Sequence, residues 1–438
     1  LHHQRDQRHQ EETLGLVRFL YTLVLLCLAP VAFPWLAWRS LRQTGHMDSW
    51  GERLGSSPLL QPGTAIWVHG ASVGEIRAAA PLVQTLHRQF PDRPILVTTF
   101  SATGRRHARQ LFGDKVMVSL LPYDLPFFVS RWLNCTRPAL AVIMETEIWP
   151  NLYAACARRR IPLLLVSARM SERAYLRYRR YASLVRGALR CASAIAAQSP
   201  ADLERFRALG AEGRTLAVMG NLKFDIAVTD EMLASGKVFR EKLFGRRKVL
   251  VAGSTREGEE PLLLEAFRKL LQRQPESVLV LAPRHPERAT AVAAMISSAG
   301  FAFRRRSAGD TPVGAGEVLL VDLLGQLMKF FAAGDVAFVG GTLVPVGGHN
   351  LLEPAALGLP VLVGPHLENV KDVAEMMHEA GALTVVQDAD SLAAAAIWLF
   401  GNDATRESIG RVARDKVLEN RGALDRALAL VKASLPRH

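Results

Sequence analysis

With 438 residues, 49% of them hydrophobic, the chain is long enough for two packed domains. Its 54 Lys and Arg against 41 Asp and Glu leave a net charge of +13, which points to anionic partners: nucleic acid, anionic lipid or a phosphorylated substrate. An aromatic content of only 7%, without zinc-finger spacing or an aromatic-rich RNA-binding signature, makes nucleic acid the weakest of these, and no nucleic-acid partner is expected.

The chain opens at Leu1 rather than Met, which raises the expectation that the polar Leu1–Thr13 stretch lies outside the natural product. Phe19–Trp38 then carries no charged residue and is long enough to cross a bilayer, with Tyr21, Trp35 and Trp38 near its ends. Pro30 and Pro34 weaken a straight spanning helix, so an interfacial or re-entrant anchor stays open. Arg18 on one side and Arg39 and Arg42 on the other give a weak orientation signal. The four scattered cysteines, Cys27, Cys135, Cys156 and Cys191, form no Cys-x-x-Cys pair. That argues against a structural metal site or a secreted disulfide framework and fits a reducing cytoplasm.

Short β-branched runs follow at Ala65–Val68, Ile95–Thr99, Val116–Leu121, Leu140–Met144, Leu163–Val166 and Ile195–Ala197. Segments such as Ile76–Gln89 lie between them and place Ile76, Ala79, Leu82, Val83 and Leu86 on one helical face. A second series runs Val249–Ala252, Val278–Leu281, Val318–Val321, Val336–Val339 and Val361–Val363. Alternation of this kind predicts parallel sheets flanked by helices. The expected organisation is a polar N-terminus and anchor over 1–45, a Rossmann-like domain over 46–235 and a second over 236–438. A polar stretch at Asp225–Arg247 reads as the hinge, and a cleft is expected between the domains. A terminal helical pattern, Asp403–Ser434, can pack back across the first domain. Such a pair suits a GT-B glycosyltransferase, a nucleotide-sugar epimerase or a periplasmic-type binding protein, so fold alone does not decide function.

Six segments carry candidate chemistry. Trp67–Glu75 reads as a strand, a Gly/Ser-rich turn and a helix opening at Ile76, and it delivers a carboxylate where a phosphate-binding residue is usual. Glu75 can take a proton from a substrate or simply satisfy the helix dipole. Glu145 and Glu147 in Met144–Asn151 stand two residues apart at a strand end, either capping the helix before Pro150 or, for Glu145, lining the inter-domain cleft close to Glu75. Lys223, in Gly220–Asp225, can meet a phosphate or pair with Asp225. Arg284, in Ala282–Pro286, suits a phosphate or a base. In Gly347–Pro354 the glycine pair permits close backbone approach, Asn350 can cap, and Glu353 can accept from ribose hydroxyls. The run Arg173–Arg190, with Arg173, Arg177, Arg179, Arg180, Arg186 and Arg190 among Tyr175, Tyr178 and Tyr181, is either a solvated face or a lipid-facing one. Asp388-Ala389-Asp390 fits an Asp-x-Asp metal pattern but precedes a helix, where Asp390 or Ser391 would cap, so no metal is assigned.

Taken together and in order, the anchor, HGASVGE, METEIWPN, GNLKFD, APRHPER and FVGGTLVPVGGHNLLEPAALGLPVLVGP resemble the 3-deoxy-D-manno-octulosonic acid (Kdo) transferases of lipid A biosynthesis, from the anchor to at least Asp372. The resemblance implies an inverting GT-B enzyme that moves Kdo from CMP-Kdo to a tetraacylated lipid A precursor (lipid IVA). It implies no cofactor and no metal for the transfer, and an N-terminally anchored enzyme at the inner membrane whose catalytic domains face the cytoplasm beside its surface lipids. Carried over by motif, Glu75 would be the general base, and Glu145 and Lys223 would stabilise the transition state. CMP would contact Pro283 and Arg284, the backbone around Leu324, Gly325 and Gln326, and Asn350, Leu351, Leu352 and Glu353. Many relatives read Met-Gly-Glu where this chain has Leu324-Gly325-Gln326, so the resemblance carries over the backbone contacts there and not those that need the glutamate charge. The alternatives are a UDP-sugar-dependent GT-B transferase or epimerase of the cell envelope, and a non-catalytic protein that binds anionic lipid.

Overall fold

The computed structural model describes residues 2–44, 50–211, 216–226 and 228–436, with side chains in the first helix from Thr13 to Leu36 and at Trp38. Within the polar stretch Leu1–Thr13, the backbone is described from His2 and only Thr13 has a described side chain. The side chains of Arg39 and Arg42 likewise lie outside the described ones.

Among the described residues, fourteen strands form two seven-stranded sheets, parallel at every pairing. The first holds β1 (Ile66–His69), β2 (Ile95–Thr99), β3 (Met117–Leu120), β4 (Leu140–Met144), β5 (Leu163–Ala168), β6 (Ala194–Ala197) and β7 (Leu216–Val218), in the order β3-β2-β1-β4-β5-β6-β7. The second holds β8 (Val249–Thr255), β9 (Val278–Pro283), β10 (Phe303–Arg305), β11 (Val318–Leu320), β12 (Val336–Val339), β13 (Val361–Val363) and β14 (Leu383–Val385), in the order β10-β11-β9-β8-β12-β13-β14. Every residue of β1, β2, β4 and β5 is buried, as a parallel sheet covered on both faces demands. In the first sheet the chain builds outward from β1 to β2 and β3; in the second it passes from β8 to β9, out to the edge at β10 and back between β9 and β10 as β11. In each it then returns to lay a later strand on the first strand's other side. The order therefore reverses between β1 and β4, and again between β8 and β12, and a crevice for ligand opens at the carboxyl ends of such pairs.

The compact units are Leu1–Asp225 with Arg421–His438, and Ile226–Asn420. The boundary thus falls ahead of the expected 235/236, and the last segment belongs to the first unit instead of the second. The supposed hinge is in part a helix, Asp230–Leu243, capped by Thr229, whose hydroxyl accepts from Met232 N–H. The terminal pattern is two helices, Asp403–Glu419 in the second unit and Ala423–Ser434 in the first. Ala423, Ala427, Leu428 and Val431 of the latter enter a core with Ile76, Leu82 and Val166. Asp225 fixes its start by accepting from the N–H groups of Gly422 and Leu424, each at 2.7 Å.

The first helix runs unbroken from His2 to Thr44 through Pro30 and Pro34, despite the two prolines. It is held along one stripe against the first unit: Leu14 lies against Gly187, Thr22 donates to Asn151 Oδ1 (3.1 Å), Tyr21 donates to Asp124 (3.2 Å), and Phe33 meets Tyr123 and Phe128. Its other side leaves Phe19, Leu20, Leu23, Val24, Val31 and Trp35 exposed.

Candidate active site

Glu75 is the third residue of the helix Val73–Gln89, which begins three residues before the expected Ile76. Ser72 caps that helix: its hydroxyl accepts from Glu75 N–H (3.3 Å) and donates to Glu75 Oε1 (2.9 Å), while Ala71 N–H donates to Oε2 (2.8 Å). Capping and a fixed carboxylate are therefore the same arrangement. Gly70 lets the turn approach the helix start closely, since a Cβ there would lie a tight 3.2 Å from that of Glu75. Burial raises the Glu75 carboxyl above its ordinary value; the Ala71 and Ser72 hydrogen bonds oppose the shift, nearby Glu145 adds to it and Lys223 reduces it. The neighbouring His69 is fully buried, with Nδ1 2.8 Å from Thr98 Oγ1, and burial lowers its pKa to about 3. It stays neutral and is no base at working pH.

Glu145 follows the last residue of β4, across the order reversal from β1, in a left-handed backbone conformation (φ 53°) that few non-glycine residues adopt. Its Oε1 meets Lys223 Nζ at 3.0 Å. Lys223 stands on the short turn Leu222–Phe224, whose start is closed by Asn221 Oδ1 accepting from Lys223 N–H (3.0 Å). Its partner is Glu145 rather than Asp225, which is committed to the C-terminal helix. The fold thus brings Glu75, Glu145 and Lys223 together within one unit. It also brings Glu147, to which the motif resemblance gives no role. Burial, then the Glu75 carboxylate, push Glu147 up to about 7, with the Trp149 indole pulling the other way and Glu145 adding to the rise. The signal that could have found it was present: two carboxylates two residues apart after a buried strand cannot both be well solvated beside a third.

In the second unit, Arg284 follows β9 and donates its backbone N–H to Thr255 O (3.0 Å). Leu324 is exposed, and Gly325 turns the chain with φ 76°. The Gln326 side-chain carbonyl accepts from Arg306 Nε (2.9 Å), so this amide has a basic partner even without a charge of its own. Asn350 Oδ1 accepts from Leu352 N–H (3.1 Å), and its amide donates to Glu353 Oε1 (3.0 Å); the N-cap of the helix Leu352–Ala356 is Leu351, so Asn350 stands one residue ahead of the expected cap position. Leu351 and Leu352 are buried, so their side chains belong to the core and only their backbone can meet a ligand. Pro283 ends β9 and is buried as well. At Gly347 the close neighbour is Asn369 of the same unit. Asp388, rather than Asp390 or Ser391, caps the helix Ala389–Gly401 in a reciprocal pair with Ser391, and Asp390 pairs with Lys269 at 2.5 Å. The basic run forms two helices, Glu172–Arg179 and Ala182–Leu189. Of its three tyrosines, Tyr175 and Tyr178 pack against the core and Tyr181 is exposed, so the run is less aromatic toward solvent than its sequence suggests.

Two parallel-sheet Rossmann-like units in tandem, each with polar side chains at its order reversal, make up the GT-B fold. A solved MurG from Acinetobacter baumannii shares this fold, with a TM-score of 0.53 over 84% of this chain and 99% of that one at 13% identity. Residues 48–226 match the family model described as 3-deoxy-D-manno-octulosonic-acid transferase. The chain is 38% identical to the 3-deoxy-D-manno-octulosonic acid transferase of Haemophilus influenzae, covering 96% of this chain and 99% of that protein. It is 37% identical to that of Bordetella pertussis, over 94% and 98%. The chain belongs to the family of 3-deoxy-D-manno-octulosonic acid (Kdo) transferases, glycosyltransferases of lipopolysaccharide biosynthesis.

Proposed function

We propose that this Kdo transferase takes Kdo from CMP-Kdo and places it on a tetraacyldisaccharide lipid A precursor (lipid IVA), with inversion at the anomeric carbon. The observation that carries the mechanism is Glu75: a carboxylate with both oxygens held, its basicity raised by burial, at the reversal of a parallel sheet. Glu75 takes the proton of the acceptor hydroxyl as its oxygen forms the new bond to the anomeric carbon. The bond from that carbon to the phosphate oxygen breaks, and CMP departs with the electron pair. Attack on the face opposite the phosphate inverts the centre. Base catalysis of this kind contributes roughly two to four orders of magnitude. Lys223, held by Glu145, offers positive charge to developing negative charge, and Glu145 offers the reverse to an oxocarbenium-like carbon. Pro283, Arg284, the Leu324–Gln326 backbone and Asn350–Glu353 hold CMP. No cofactor or metal takes part in this scheme.

A membrane-surface location at the inner membrane, with the catalytic units facing the cytoplasm, completes the reading. It is supported by the helix Thr13–Leu36, long and apolar enough to cross a membrane, and by its exposed apolar side. The decisive experiment measures CMP release from CMP-Kdo with lipid acceptor, alongside CMP binding. Glu75→Gln is expected to lose turnover by at least about 100-fold while still binding CMP. Near-normal turnover in that variant sinks the general-base assignment, and a preference for UDP over CMP sinks the donor assignment.

A further inference from the structure

The loop after β8 holds a cation that the CMP contacts above do not use. Arg256 Nη1 lies 2.8 Å from His285 Nε2, and Arg256 Nε donates to His349 Nε2 at 3.2 Å. A guanidinium only donates, so each ring accepts at Nε2 and is neutral there. His285 Nδ1 faces Glu287 Oε1 at 3.4 Å, as that tautomer requires. Two neutral acceptors orient the guanidinium and leave its charge whole.

Of the carboxylates nearest in sequence, Glu257 is exposed and makes no ion pair with Arg256, and the other two are committed elsewhere. Glu259, fully buried, accepts from the N–H groups of Arg256, Gly341, Thr342 and Leu343 at 2.7–2.9 Å. Glu260, also fully buried, accepts from Thr255 and pairs with Arg288 at 2.7 Å. Among the described residues no carboxylate pairs with the Arg256 side chain. An arginine in this position is partly buried, oriented and unneutralised, which is the state of a residue that meets an anion.

Its place agrees. Arg256 follows β8, His285 follows β9 and His349 closes the loop after β12, so the cluster spans the three adjacent strands at the order reversal of this sheet. The loops are built to hold it there: Glu259 ties the segment after β8 to the segment after β12, and Gly341 leaves room for His349, whose ring would lie 3.1 Å from a Cβ at that position. Two residues of the cluster adjoin proposed CMP contacts, His285 beside Arg284 and His349 beside Asn350.

We propose that Arg256, oriented by His285 and His349, seats an oxyanion of the sugar nucleotide, either the phosphate of CMP or the carboxylate of the transferred sugar acid. The proposal rests on the CMP-Kdo reading, and its test separates the two. The full chain and Arg256→Gln are titrated calorimetrically with CMP, cytidine and inorganic phosphate, and assayed with CMP-Kdo and acceptor. If the phosphate is seated, Arg256→Gln loses about 10- to 100-fold in CMP affinity, with cytidine unchanged and inorganic phosphate no longer bound. If the sugar carboxylate is seated, CMP affinity holds and KM for CMP-Kdo rises by a similar factor. Arg256→Lys, which keeps the charge, recovers part of either loss, as a merely structural role would not require, and it serves if Arg256→Gln does not fold. Unchanged CMP affinity together with unchanged KM overturns the proposal. A wild type that binds no CMP overturns the donor reading instead; inorganic phosphate then reads the seat alone, and equal phosphate binding by wild type and variant sinks it.

Discussion

Asp225 provides a sharp test of how the first unit is assembled. The helix Ala423–Ser434 begins after Gly422, which has no side chain to cap it, and its cap is supplied by Asp225 from almost two hundred residues earlier. The two oxygens each accept one backbone N–H at 2.7 Å. A hydrogen bond to a charged group contributes about 1.5–3 kcal/mol when its loss leaves a partner unsatisfied, and loss of a helix cap alone costs about 1 kcal/mol. Water reaches this partly buried site and recovers some of the loss, so Asp225→Ala is expected to cost about 2–3 kcal/mol. For a unit of this size that lowers the melting temperature by about 5–10 °C. Asp225→Asn, with one oxygen kept, is expected to lose about half as much. The helix packs on Val73–Gln89, which carries Glu75, and on Leu222–Phe224, which carries Lys223. Turnover in Asp225→Ala should therefore fail at temperatures the wild type withstands. Differential scanning calorimetry with a parallel activity series checks both. A variant melting within about 1 °C of wild type would show that Ala423, Ala427, Leu428 and Val431 hold the helix unaided, and would refute the reasoning.

Other outcomes follow from the same structure. Glu259→Gln sets an amide among four backbone N–H donors that now share one carboxylate, and should destabilise the second unit by at least about 3 kcal/mol, read by urea unfolding; a midpoint unchanged from wild type contradicts it. Glu147 titrates near 7 in the folded protein against 4.5 ordinarily, so the folded state keeps a proton that the unfolded chain releases between those values. Its ionisation thus costs stability increasingly from pH 4.5 to 7, with the full cost present above 7. Glu147→Gln removes that cost, so its stability advantage over wild type should grow by on the order of 2 kcal/mol as the pH rises from about 5 to 8. A wild-type-to-variant difference that does not change with pH counts against the coupling.

Much of the fold is legible because a parallel sheet buried on both faces writes itself as unbroken apolar runs, and β2, β4, β12 and β13 coincide with theirs. The strands without such a run are β7, β10 and β14, all at sheet edges, short and only partly buried, where the pressure for apolar residues is weakest. The helix Asp230–Leu243 reads as a hinge because it buries only Gly236 and Leu243, too few positions to write a stripe.

Composition and local pattern by themselves determined the two-domain α/β class, the apolar first helix, and the turn that puts Glu75 after β1, since each depends on neighbours a few residues apart. Motif resemblance added the transferase family. Tertiary structure alone decided that Lys223 pairs with Glu145 and Asp225 with the last helix, that Glu147 joins the carboxylate cluster, and that Arg256 is held by two histidines from separate loops. Those pairings join residues 29 to 199 positions apart. They depend on the reversals of strand order at β1/β4 and β8/β12 and on the return of the last helix to the first unit, and no local periodicity records which distant ends will meet.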